Sequence, residues 1–154
     1  KYQDREISST YVREELKLGH METANILLGR PYSVYGIVAK GNQFGRTLEI
    51  PTINLYPSES KLLPPNGVYA SITELDGRKY YGVTNVGTKP TVSDGFTISV
   101  ETNLFDFDKD IYGKTVNVSL MHFVRPEMKF ESVEALQKQM KGDAKFARDM
   151  FSVK

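Results

Sequence analysis

From Ser33 to Val124 the chain is divided into short runs of β-branched and aromatic residues, each closed off by glycine, proline or a polar cluster. That pattern restricts the fold more than any other feature. The runs lie near 33–39, 50–56, 67–75, 79–86, 96–104 and 115–124, and their lengths suit strands. Asp76-Gly77 sits between the third and fourth runs, where a tight hairpin needs positive φ at both central positions. In the last run Val116, Val118 and Leu120 alternate with Asn117, Ser119 and Met121, giving one buried and one more open face. Six short strands joined by turns predict a mainly β, antiparallel barrel, because closure removes exposed sheet edges.

Helices flank this β region. Ser9 or Thr10 is expected to cap a helix over about Tyr11 to Leu18, with Gly19 closing it; Glu22 to Leu28 reads as a second helix, stopped by Gly29-Arg30-Pro31. At the far end Ser132 can cap a helix over about Val133 to Lys141, and Gly142-Asp143 can restart one carrying Phe146, Ala147 and Met150. The division expected is a helical lead-in over residues 1–30 and a barrel with its C-terminal helix over residues 31–154.

A chain of 154 residues that is 40% hydrophobic has material for one well-buried core. A net charge of +1 offers no broad basic field for nucleic acid. With no cysteine there is neither a disulfide nor a thiolate metal site, which fits a cytoplasmic setting. No apolar run approaches the roughly 18–20 residues of a membrane span.

The segment Lys40-Gly41-Asn42-Gln43-Phe44-Gly45-Arg46 leads into Pro51-Thr52-Ile53-Asn54. Gly41 and Gly45 permit close backbone approach to an anion, and Arg46 adds a permanent charge with a planar donor fork. In an extended segment Thr52 and Asn54 fall on one face, opposite Ile53 and Leu55. Two neighbouring side-chain oxygens of that kind suit Mg²⁺ shared with a nucleotide. A plain hairpin loop with turn-capping polar residues accounts for the same segment. Neither a Walker loop nor a Rossmann fingerprint is present.

From Tyr32 to about Phe151 the chain resembles the riboflavin kinase domain that forms the C-terminal half of bacterial bifunctional riboflavin kinase/FAD synthetases. The matching words occur in the family's order: Gly45-Arg46-Thr47-Leu48-Glu49-Ile50-Pro51-Thr52-Ile53-Asn54, Gly67-Val68-Tyr69-Ala70, Asn85-Val86-Gly87-Thr88-Lys89-Pro90-Thr91, Val100-Glu101-Thr102-Asn103, Asp110-Ile111-Tyr112-Gly113 and Phe123-Val124-Arg125-Pro126-Glu127-Met128-Lys129-Phe130. The family usually has alanine at Ile53, glycine at Glu49 and often histidine at Asn103. The resemblance implies a six-stranded Greek-key barrel that transfers the ATP γ-phosphate to the riboflavin 5′-hydroxyl, giving FMN and ADP with Mg²⁺.

It further implies Glu101 as catalytic base; Gly41, Gly45, Arg46, Thr52, Asn54, Asn85 and Tyr112 on ATP; Thr52 and Asn54 on the metal; and Arg125 and Phe130 around the flavin. Arg125 in a structural ion pair and Phe130 in the core are the plainer readings of those two residues. Loops around Thr88 to Phe96 and Phe105 to Lys109 are candidate lids. Ser8-Ser9-Thr10 resembles the end of the adenylyltransferase domain to which such kinases are fused. The His-x-Gly-His word of that second activity is missing, since the two histidines are His20 and His122, so no FAD synthetase activity is expected. The rival readings are a non-catalytic flavin-binding barrel and an oligonucleotide-binding barrel using aromatics such as Tyr35, Tyr80 and Tyr81.

Overall fold

The computed structural model describes residues 1–39, 52–58, 60–90, 95–107 and 109–152. Gly41, Gly45 and Arg46, proposed for the phosphate loop, lie outside the described residues. The chain runs α1 (Ser9–Leu18), α2 (Met21–Leu28), β1 (Ser33–Ile37), β2 (Thr52–Leu55), β3 (Gly67–Leu75), β4 (Arg78–Pro90), β5 (Phe96–Leu104), β6 (Thr115–Pro126) and α3 (Val133–Phe151).

The six strands form one antiparallel sheet in the order β1-β6-β3-β4-β5-β2. The sheet curls until its edges meet, and an isolated bridge between Ala39 and Asn54 ties the end of β1 to β2. Asp76 and Gly77 take φ of 51° and 77° in the β3–β4 turn, as the tight hairpin requires. Gly67 allows a close crossing instead: a Cβ there would lie 2.4 Å from the Arg125 carbonyl oxygen of β6.

Side chains from alternate positions fill the interior. Ile53 and Leu55 of β2, Tyr69 and Leu75 of β3, Val86 of β4, Val100 and Leu104 of β5, and Val116, Val118 and Leu120 of β6 belong to one buried cluster. Leu16, Met21 and Ala24 from α1 and α2 join it, so the helical lead-in shares the barrel's core. Asn25 fastens α2 to the sheet, donating to the Leu120 carbonyl at 3.1 Å and accepting from the Tyr32 N–H at 2.7 Å.

The interior is not wholly apolar. Thr84 donates to Ser71 at 2.7 Å and shares a 2.8 Å hydrogen bond with Thr102, all three hydroxyls being buried. Tyr69 donates to the Pro65 carbonyl at 2.5 Å, and burial pushes its phenol well above the ordinary range.

On the outer wall α3 covers part of β3 and β4. Ala147, Ala144 and Phe151 pack there against Ala70, Val83, Val124 and Phe105. Two helix expectations need correction. Ser8, not Ser9 or Thr10, caps α1 by accepting from the Tyr11 N–H, which starts the helix at Ser9. The C-terminal helix runs unbroken from Val133 to Phe151. Glycine costs only about 1 kcal/mol inside a helix, and the packing of Ala147 together with the buried Asp143 outweighs it.

Candidate active site

The register of β2 on β5 sets the geometry. Thr52 stands opposite Asn103 and Asn54 opposite Glu101, and directly opposed residues in an antiparallel pair point to the same face, their Cα atoms about 4.5–5.5 Å apart. Since Ile53, Leu55, Val100 and Thr102 point inward, these four polar residues lie together on the outer wall. Asn85 of β4 is the other partner of Glu101. A row Asn54–Glu101–Asn85 therefore crosses three strands.

Asn54 is 4% exposed, and its Oδ1 has no hydrogen-bond partner among the described residues. A buried carbonyl oxygen left unmatched is costly, and a hard cation is the kind of partner that satisfies it. The donor chemistry at Thr52 and Asn54 thus fits Mg²⁺. No group of three or more His, Asp or Glu side chains suited to a metal occurs among the described residues, so protein oxygens here would have to share the ion with phosphates and water.

The turn carrying Tyr112 is fastened to this edge of the barrel. The Tyr112 N–H donates to the Asp110 carboxylate at 3.0 Å, the Gly113 N–H to the Val38 carbonyl at 2.9 Å, and the Val38 N–H to the Lys114 carbonyl at 2.8 Å. The Ala39 N–H then donates to the Asn54 carbonyl at 2.8 Å. Val38 and Ala39 thereby connect the Tyr112 turn to β2. The Tyr112 ring itself is exposed.

Arg125 and Phe130 lie on the same wall, farther round. Val68 is the partner of both Asn85 and Arg125, so the row continues from Glu101 through Asn85 and Val68 to Arg125. Three strand spacings of about 4.8 Å put roughly 14 Å between the ends, measured along the sheet. Arg125 is held by α3: its Nε donates to both Asp143 carboxylate oxygens at 3.1 Å and its Nη2 to one of them at 2.9 Å. Its Cζ stands 5.8 Å from the Phe130 ring centroid. The ion pair is therefore present, and it fixes the guanidinium beside the aromatic ring.

One acidic side chain on this wall was given no role by sequence reasoning. A Cβ at Gly87, two residues beyond Asn85, would lie 2.7 Å from the Glu127 Oε1. The glycine admits that carboxylate, and Gly87 was the available signal. Of the two candidate lids, the stretch Phe105 to Phe107 is anchored, because both phenylalanines are buried and Phe107 packs edge-on against Tyr80 at 5.0 Å. Residues 91–94 of the other lie outside the described residues.

A curled six-stranded antiparallel sheet with this polar row on its outer wall is a barrel of the riboflavin kinase type. It aligns with the crystal structure of riboflavin kinase from Trypanosoma brucei at a TM-score of 0.56 and 22% identity, covering 79% of this chain and 80% of that one, a likeness of fold. The family model for flavokinase, described as riboflavin kinase, matches residues 28–151. The chain belongs to the flavokinase (riboflavin kinase) family.

The bifunctional riboflavin kinase/FMN adenylyltransferase of Bacillus subtilis is 41% identical over 152 residues, covering 97% of this chain and 48% of the relative. A crystal structure from Streptococcus pneumoniae, described as a macrolide-efflux protein, superposes with a TM-score of 0.89 at 37% identity over 97% of this chain and 49% of that one. The chain thus spans about half the length of the curated relatives it matches. No helix among the described residues is long and apolar enough to cross a membrane.

Proposed function

We propose that this chain is a riboflavin kinase domain, transferring the γ-phosphoryl group of ATP to the 5′-hydroxyl of riboflavin. The observation that carries this reading is the pairing of Asn54 with Glu101 on the outer wall, which places a carboxylate beside an unmatched buried oxygen. Glu101 accepts the proton of the 5′-hydroxyl as its oxygen bonds to the γ-phosphorus and the bond to ADP breaks; FMN and ADP result. Thr52 and Asn54 would hold Mg²⁺, which when bound neutralises phosphate charge. Gly41, Gly45 and Arg46 cradle the phosphates, and Asn85 and Tyr112 border the nucleotide. The flavin lies along the row toward Arg125 and Phe130, a span suited to an elongated substrate with its hydroxyl at one end and its ring at the other.

Catalysis of this kind depends on positioning and charge stabilisation more than on covalent chemistry. A rigid β-sheet face meets that need, because register alone fixes which side chains meet. The same reading takes the family's setting as its own: a cytoplasmic domain fused to an adenylyltransferase, whose second activity this stretch lacks.

The test supplies riboflavin, Mg²⁺ and γ-labelled ATP to the chain and to Glu101→Gln. The unsubstituted chain yields labelled FMN, and Glu101→Gln lowers turnover by about 10²–10⁴-fold while keeping substrate binding. Flavin binding without transfer by the unsubstituted chain would instead make it a flavin-binding barrel, and salt-sensitive binding of single strands without transfer would make it an oligonucleotide-binding one. Near-full turnover of Glu101→Gln would remove Glu101 from the mechanism.

A further inference from the structure

Asn103 occupies the fourth corner of the patch formed by Thr52, Asn54 and Glu101, directly across from Thr52. We propose that its side-chain amide donates a hydrogen bond to a phosphate oxygen of the bound nucleotide. The inference rests on the phosphotransferase reading of this wall and adds a nucleotide contact to it.

Three observations converge on Asn103. The first is direction. Residues two apart on a strand share a face and are separated by about 6.8 Å, so Asn103 lies one step from Glu101, on the Thr52 side. The row toward Arg125 leaves from Glu101 across β4 and β3, in another direction. A substrate hydroxyl at Glu101 and a flavin lying toward Arg125 leave the Thr52–Asn103 rung for the polyphosphate.

The second observation is the state of the side chain. Asn103 is half-buried, so it keeps a surface on the same face as Thr52. Its carboxamide carries two N–H donors that suit an acceptor arriving from that side. The third is rigidity. A Cβ at Gly82 would lie 2.4 Å from the Asn103 carbonyl oxygen, so β4 closes on the Asn103 backbone in a way only glycine allows. Just beyond, the Phe105 N–H donates to the Tyr81 carbonyl at 2.8 Å. The strand is clamped on both sides of Leu104, which fixes where the Asn103 side chain begins.

A neutral amide suits this corner better than the isosteric carboxylate, which would offer only acceptors and bring negative charge to a triphosphate. The test measures equilibrium binding of Mg-ATP and of riboflavin, separately, to the chain and to Asn103→Ala and Asn103→Asp, by titration calorimetry. Thermal melting serves as the folding control. Asn103→Ala is expected to weaken Mg-ATP binding by about 10-fold, the scale of one hydrogen bond to a charged group. Asn103→Asp should weaken it further, with riboflavin binding unchanged in both. Folded variants that bind Mg-ATP within twofold of the unsubstituted chain would overturn the proposal, as would a loss confined to riboflavin. Failure of the unsubstituted chain to bind Mg-ATP would sink the phosphotransferase reading itself, a distinct result.

Discussion

Replacing Asp143 by alanine would leave the Arg125 guanidinium without its partner in a site where water can replace little of what is lost. The Asp143 side chain is 4% exposed and that of Arg125 15%. Its carboxylate accepts from Arg125 Nε and Nη2 and from Gln139 Nε2 at 2.9–3.1 Å. Removing one partner of such a buried pair costs about 3–5 kcal/mol, mostly the penalty of stranding the other charge.

Arg125 keeps a hydrogen bond to the Pro126 carbonyl at 3.1 Å and some contact with solvent, which favours the lower end of that range. For a domain of this size about 3 kcal/mol corresponds to a fall of roughly 6–12 °C in melting temperature. The double substitution Arg125→Met/Asp143→Leu removes both charges and should recover most of the loss, since an apolar pair of similar volume is often no less stable. Urea titrations of the single and double variants give the coupling directly. Because Asp143 also holds Arg125 beside Phe130, Asp143→Ala should weaken riboflavin binding and leave Mg-ATP binding intact. A loss of stability below about 1 kcal/mol, or additive effects in the cycle, would refute the view that this pair anchors α3 to the barrel.

Thr73 Oγ1 is buried with no partner among the described residues, so Thr73→Val removes an unsatisfied hydroxyl at nearly constant shape. Urea unfolding should show stability unchanged or raised by up to about 1 kcal/mol, and a clear loss would mean the hydroxyl has a partner. Burial raises the phenol pKa of Tyr69, and of Tyr32, above the ordinary value of about 10. The folded state therefore holds these protons more tightly, and their contribution is complete below about pH 10 and lost as pH rises through the folded values. Urea midpoints should be level near pH 8–9 and fall above pH 10, with a shallower fall in Tyr69→Phe; an equally steep fall would assign the effect elsewhere.

The strands were legible because alternation, β-branching and glycine punctuation all pointed the same way, and the run read over 67–75 is β3 as it stands. The face shared by Thr52 and Asn54 also followed from the period of two. What no local pattern contains is which strand lies beside which. The meeting of Asn54 with Glu101, separated by 47 positions, comes from the β2–β5 register, and the Arg125–Asp143 pair depends on where α3 packs. Gly142 misled because a local breaker was weighed without the tertiary contacts that override it. Ser9 and Thr10 were the expected caps of α1, but the helix starts earlier, at Ser9, so that Ser8 accepts from the Tyr11 N–H. The interior hydroxyls escaped notice because Ser71, Thr84 and Thr102 come from three strands and satisfy one another only after the sheet curls.

The most direct check on the central claim, that the outer wall of β2 and β5 performs phosphoryl transfer, is a crystal structure of the chain with riboflavin and a non-hydrolysable Mg-ATP analogue. The account predicts the cation against Thr52 and Asn54 and the flavin 5′-oxygen within hydrogen-bond reach of the Glu101 carboxylate. Nucleotide and flavin bound on another face, with Glu101 far from both, would contradict it.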